Sequence, residues 1–147
     1  MFRRVTLLLL LFHMTLFSYS QTKKRHKKQH LIAVLQTLPD SIFQKFPTCN
    51  GVDVVLFFAS KSMEFNDKNA QAPVSFITRE GVKNTEGYKH IGLFTYKING
   101  SVFMDCDILM NEQTQDIIMK FRTKEKEIYY QKMNEDGKKL MLQWLKK

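Results

Sequence analysis

His90, Asp105 and Asp107 are the residues of this chain whose types and spacing best suit chemistry. All three fall in one stretch, HIGLFTYKINGSVFMDCDILM, from His90 to Met110. In an extended chain, side chains two positions apart project to the same side, which sets the two carboxylates roughly 7 Å apart. A carboxylate beside an imidazole can do general acid–base work. The same groups can also ligate a divalent cation. Phe94, Tyr96 and Phe103 share the stretch and suggest a face for an apolar ligand or a protein partner. The plainer alternative is a solvent-facing strand that carries charges, with its aromatics packed under a loop.

The element that must position these groups is a β-hairpin. Asn99-Gly100 lies between alternating apolar runs, and both residues of a two-residue hairpin turn need positive φ. An uninterrupted ladder from that turn sets Tyr96 opposite Phe103, Phe94 opposite Asp105, Gly92 opposite Asp107 and His90 opposite Leu109. Opposed residues share a face. One face then carries Ile91, Leu93, Thr95, Val102, Met104, Cys106 and Ile108 and reads as core. The other gathers His90, Phe94, Tyr96, Phe103, Asp105 and Asp107 around Gly92, which leaves room for a ligand atom. A one-residue slip would exchange the two faces.

Around the hairpin the pattern is α+β. Residues 31–46 space their apolar side chains three and four apart, as in an amphipathic helix broken at Pro39. Val52 to Ser60 reads as a strand covered on both faces. Lys61 to Ala72 reads as a long loop with room for one helical turn, Val74 to Arg79 as a short strand, and Glu80 to Lys89 as a second loop. After the hairpin, 116–123 and 127–133 read as strands. Asp136-Gly137 then suggests a last turn, pairing Tyr129 with Trp144 on a final strand over 139–145, while KKLMLQWLKK also fits an amphipathic helix. The expected architecture is a broken N-terminal helix packed on a curved antiparallel sheet of six to seven strands. A small lipocalin-like closed barrel is the alternative. In topology alone this helix-then-meander order resembles small exported cystatin-like or NTF2-like domains and lipocalin-type barrels.

The chain has 147 residues, ordinary for one domain. Its net charge of +9 suggests a nucleic-acid binder until the distribution is read. All 14 acids and 16 of the 23 bases lie after residue 31, leaving that part near +2. The remaining bases belong to two N-terminal features. Arg3-Arg4, an apolar run from Val5 to Phe17 and the small residues Ser18 and Ser20 form the pattern of a cleaved secretory signal cut after Ser20. The run is too short to span a bilayer. Gln21 to His30 has neither apolar nor acidic residues and reads as a disordered basic arm. Its Lys23, Lys24, Arg25, Lys27 and Lys28 suit contact with an anionic surface. Behind an export signal, nucleic acid is not the expected partner. The predicted organisation is a signal over 1–20, an arm over 21–30 and one domain over 31–147, secreted or periplasmic and not membrane-spanning after cleavage.

Cys49 and Cys106 complete the inventory. An even cysteine count in an exported chain suggests a disulfide. Closing 57 residues would contribute on the order of 4 kcal/mol in the chain-entropy picture. The two lack the spacing of a zinc site, so no metal is expected. Nucleophile-elbow, zinc-protease, phosphate-loop and dinucleotide motifs are all absent, so no cofactor is expected either. The leading functional expectation is an exported non-enzymatic binding or accessory domain. The alternatives are a hydrolase or metal-dependent enzyme centred on His90, Asp105 and Asp107, and a cationic protein acting through residues 23–28.

Overall fold

The computed structural model describes residues 35–146. The signal and arm expected over residues 1–30, and the first turn of the expected N-terminal helix, lie outside them. After an extended start, α1 (Asp40–Phe43) follows Pro39, and a 3-10 turn covers Phe46–Thr48. β1 (Gly51–Leu56) turns into β2 (Lys61–Asn66), followed by a 3-10 turn at Asp67–Ala70 and α2 (Gln71–Val74). Then come β3 (Ile77–Gly81), β4 (Tyr88–Ile98), β5 (Ser101–Asn111), β6 (Ile117–Arg122), β7 (Ile128–Met133) and α3 (Glu135–Leu145). The seven strands form one antiparallel sheet in the order β2-β1-β4-β5-β6-β7-β3. It is an α+β fold, and the sheet stays open, so the closed-barrel alternative is set aside.

The core lies on one face of this sheet. Along the direct cross-strand pairs it runs from Val52 and Val54 of β1 through Phe94 and Tyr96 to Met104 and Cys106, then to Phe121 and Tyr129. All of these are buried. Leu38, Phe46, Val74, Phe76 and Met141 close over them from the segments that flank the strands and from α3. Phe46 is the hub of that lid, with its ring edge-on to Tyr96 at 5.0 Å, Phe103 at 5.3 Å and Phe121 at 5.5 Å. Such pairs add about 0.5–1.5 kcal/mol each beyond the area they bury.

Several local expectations change. Of the broken N-terminal helix only α1 is present among the described residues, because residues 35–39 run alongside the sheet instead. Gln36 O accepts from Tyr130 N–H at 2.8 Å, a donor left over where the β3–β7 pairing is irregular between Ile77 and Gly81. β1 is covered on one face only: Val52, Val54 and Leu56 are buried, whereas Val55 is exposed. The expected loop after it holds β2 and two short helical turns, and the strand expected at Val74 starts at Ile77.

The expected final strand is the helix α3. Asn134 caps it, accepting from Gly137 N–H at 2.8 Å, with Glu135 and Asp136 in the first turn where the helix dipole favours acids. Gly137 therefore serves close packing, not a hairpin turn. A Cβ there would lie 2.7 Å from Phe76 Cγ. Lys61 closes the other end, its ammonium donating to Trp144 O at 2.8 Å and Lys146 O at 3.1 Å.

Candidate functional site

The Asn99-Gly100 turn forms as the sequence indicates, with φ of 50° and 76°. The ladder beyond it is not uninterrupted. Lys97 pairs with Val102 but Tyr96 pairs with Met104, so Phe103 is an extra residue, a β-bulge. Thr95 then faces Asp105, Phe94 faces Cys106 and Leu93 faces Asp107. A second irregularity between His90 and Gly92 restores His90 opposite Leu109. One inserted residue moves β4 to the opposite face relative to β5. The expected face of aromatics and acids is thereby divided.

Phe94 and Tyr96 are fully buried in the core. Burial, with the Cys106 and Cys49 thiols beside it, pushes the Tyr96 phenol well above its ordinary pKa. Its hydroxyl reaches Pro73 O at 3.4 Å. These two residues pack; neither offers a surface to a ligand. Cys49 and Cys106 are buried free thiols, and the expected disulfide is not formed. Cys106 instead fills the core between Phe94 and Phe121. Burial raises Cys49 to about 11 and pushes Cys106 well above its ordinary value, which keeps both protonated and unreactive.

His90, Asp105 and Asp107 belong to the opposite, open face. Asp107 is only 7% exposed, and β6 supplies its counter-charges. Arg122 donates to Asp107 Oδ1 at 2.8 Å, and Lys120 lies 3.9 Å from Oδ2. His90 Nε2 is 3.5 Å from Asp107 and 2.8 Å from Gly92 O, to which it donates. The other side of the imidazole is shaped by Phe57, whose ring stands edge-on at 4.9 Å. Asp105 is apart from this cluster and accepts from Thr95 Oγ1 at 2.9 Å. The expected trio is thus a His90–Asp107 pair plus a separate acid, and the pair is engaged by Arg122 and by backbone. Among the described residues no three His, Cys, Asp or Glu side chains converge as a metal site.

Phe103 alone of the three candidate aromatics reaches open space. Two adjoining surface hollows of about 460 and 360 Å³ share Val102, Phe103, Met104, Thr123 and Lys124 as walls. The first adds Asp105, Arg122, Lys126 and Ile128 from the open face. The second adds Ile42, Lys45 and Ile98 from the core side. Together they form a cleft with apolar walls and a cationic rim. No family model, curated protein or solved structure matches this chain.

The cationic rim and the bulge were the features hidden from the sequence. Alternation over 117–122 does place Lys120 and Arg122 on a common side, but nothing local states which strand they oppose. The bulge has a weak signal: Val102-Phe103-Met104 breaks alternation just where β5 would otherwise bring its apolar side out of step with Phe94 and Tyr96. Lys23, Lys24, Arg25, Lys27 and Lys28 lie outside the described residues. No helix among the described residues is long and apolar enough to cross a membrane.

Proposed function

We propose that this chain is an exported, non-enzymatic binding domain whose partner-facing surface is the cleft beside Phe103. The observation that carries the reading is the Phe103 bulge. It leaves one half-buried aromatic between two hollows while its neighbours in sequence, Val102 and Met104, wall both. Bulges are concentrated where a strand must re-aim a side chain at a site. Hollows of a few hundred Å³ with apolar walls and a few placed charges are the ordinary form of a binding site. Exposure adds support: Val102 is 49% and Ile128 41% accessible, both at the cleft. The hydrolase alternative gains no comparable support, because Asp107 is held by Arg122 and His90 Nε2 by the Gly92 carbonyl.

The test is a photo-reactive amino acid placed at Val102 in the producing cell, with the same group at Glu64 on β2 as control. The reading expects a discrete covalent adduct from position 102 and none from 64. Absence of any adduct from 102 would remove the cleft as a partner surface. Export is tested separately by amino-terminal sequencing, which should begin at Gln21.

A further inference from the structure

The β4–β5 hairpin runs four residues beyond the end of β6. Pairing of β5 with β6 stops at Asp105 and Arg122. Among the described residues, Ser101 to Met104 therefore have β4 on one side and no strand on the other. The turn determines which backbone groups face that open edge. Ile98 and Ser101 flank the two-residue loop and exchange ladder bonds. The next pair, Lys97 with Val102, is then a non-hydrogen-bonded pair, so Val102 aims its N–H and C=O away from β4. Among the described residues no turn or cap takes up either group.

The two hollows flank this edge. One has walls from the open-face residues Asp105, Arg122 and Ile128, which lie in one cross-strand row. The other has walls from Ile42 and Ile98, which pack against the core. An added strand would send successive side chains to alternate sides, one into each hollow. We propose that this edge takes an extended acidic peptide segment of a partner protein, added as a short strand beside Val102. Main-chain bonds to an exposed edge supply affinity in this mode, and alternate pockets supply specificity.

Charge selects the sign of the partner. Lys45, Arg122, Lys124 and Lys126 border the cleft, against Asp105 and Glu125. Arg122 already pairs with Asp107, and Asp105 keeps its charge in its bond to Thr95, so the cationic surplus comes from Lys45, Lys124 and Lys126. The chain's own Gln21 to His30 segment carries five Lys and Arg and no acid, so it is the wrong occupant. The bulge at Phe103 limits the added strand to a short one, because regular pairing cannot continue past it. The inference rests on the cleft being a binding surface, as proposed above.

The full chain is panned against a phage-displayed library of random dodecapeptides, and recovered peptides are measured by fluorescence anisotropy. Recovered sequences should be net acidic with apolar residues at alternate positions. Val102→Pro removes the outward N–H without removing a ladder bond, a change edge strands tolerate, and should weaken binding at least tenfold. Lys124→Glu combined with Lys126→Glu should do the same with an unchanged urea midpoint, and decides the matter if Val102→Pro unfolds. Alanine at Lys23, Lys24, Arg25, Lys27 and Lys28 should leave binding intact. Neutral or basic selected peptides, or loss of binding in the arm variant alone, would overturn the inference. So would recovery of no peptide with cleft-dependent binding to phosphatidylglycerol vesicles, which would assign the surface to lipid. If no acidic peptide binds but the Val102 adduct persists, the peptide inference fails and the binding reading stands; if both are lost, both fail.

Discussion

The two faces of the sheet are built from the same strands and obey different rules. The covered face is continuous: Val54, Phe94, Cys106 and Phe121 follow one another across four strands with no polar side chain between them. The open face is a series of local compensations. Lys97 meets Asp53 at 2.5 Å, Thr95 meets Asp105, and Arg122, Lys120 and His90 surround Asp107. Apolar residues among them stay exposed at Val55, Val102 and Ile128, whereas Ile118, paired with Leu109 and Lys132, is buried. The difference teaches that most of the buried apolar surface lies on one face and that the other, away from Ile118, is free to carry interactions.

That division predicts unequal costs. Phe94→Ala deletes a wholly buried ring and should destabilise by about 3–5 kcal/mol in urea unfolding. Val55→Ala, at an exposed apolar position on the open face, should change stability by less than about 0.5 kcal/mol. Comparable losses at both would mean that the open face is covered in the native protein.

Gly92→Ala tests how closely β1 and β4 approach on the covered side. A Cβ at Gly92 would lie 2.6 Å from the Val55 carbonyl oxygen and 2.9 Å from Leu56 Cδ2. The oxygen belongs to backbone that cannot turn aside, so a cost of about 1–3 kcal/mol is expected from overpacking. Gly92 was read from the sequence as room for a ligand. The structure instead fills that room with Leu56.

Asn134→Ala removes the cap of α3 and should cost about 1 kcal/mol by the same measurement. Asn134 also donates to Ser75 O at 2.7 Å, tying the helix start to the segment before β3. An unchanged midpoint would argue against the cap and revive the strand reading of the C-terminal segment.

The smallest expected effect is in acid. Burial favours the neutral form of Asp116, but hydrogen bonds from Lys138 and Tyr88 outweigh it and hold its pKa below the usual value. The same contact and burial push the Tyr88 phenol up to about 12. A carboxyl lowered by folding contributes stability above its unfolded pKa, and that contribution is lost as pH falls through the folded value. Asp116→Asn should therefore flatten the stability curve below about pH 4 and leave its slope between pH 6 and 8 unchanged. A flattened neutral limb would point to another group.

Legibility followed the range of the interactions involved. The Asn99-Gly100 hairpin was readable because positive φ at two adjacent positions is a local demand that Asn and Gly meet. The α+β class was readable because alternation and helical spacing are also local. The Phe103 bulge was not, because its cause is global: Phe94 and Tyr96 must meet Phe46 and Phe121 in the core while Met104 and Cys106 do the same from β5. Between strand and helix over 139–145 the sequence is ambiguous, since Asp-Gly satisfies either a hairpin turn or a helix first turn. The arbiter was Asn134 just before it, together with Leu140, Met141, Trp144 and Leu145 packing toward the core. Asp105 and Asp107 were correctly placed on one side of β5. Their partners were not legible, since Arg122 and Lys120 meet Asp107 only through the β5–β6 register.

Everything said of the two faces depends on the residue inserted at Phe103. Proton NMR reads this directly, since Hα–Hα contacts join the non-hydrogen-bonded pairs of an antiparallel ladder. The account predicts such a contact between Thr95 and Asp105, following that between Lys97 and Val102. A contact between Thr95 and Met104 instead would mean an uninterrupted ladder, with Phe94 beside Asp105, and would contradict the account.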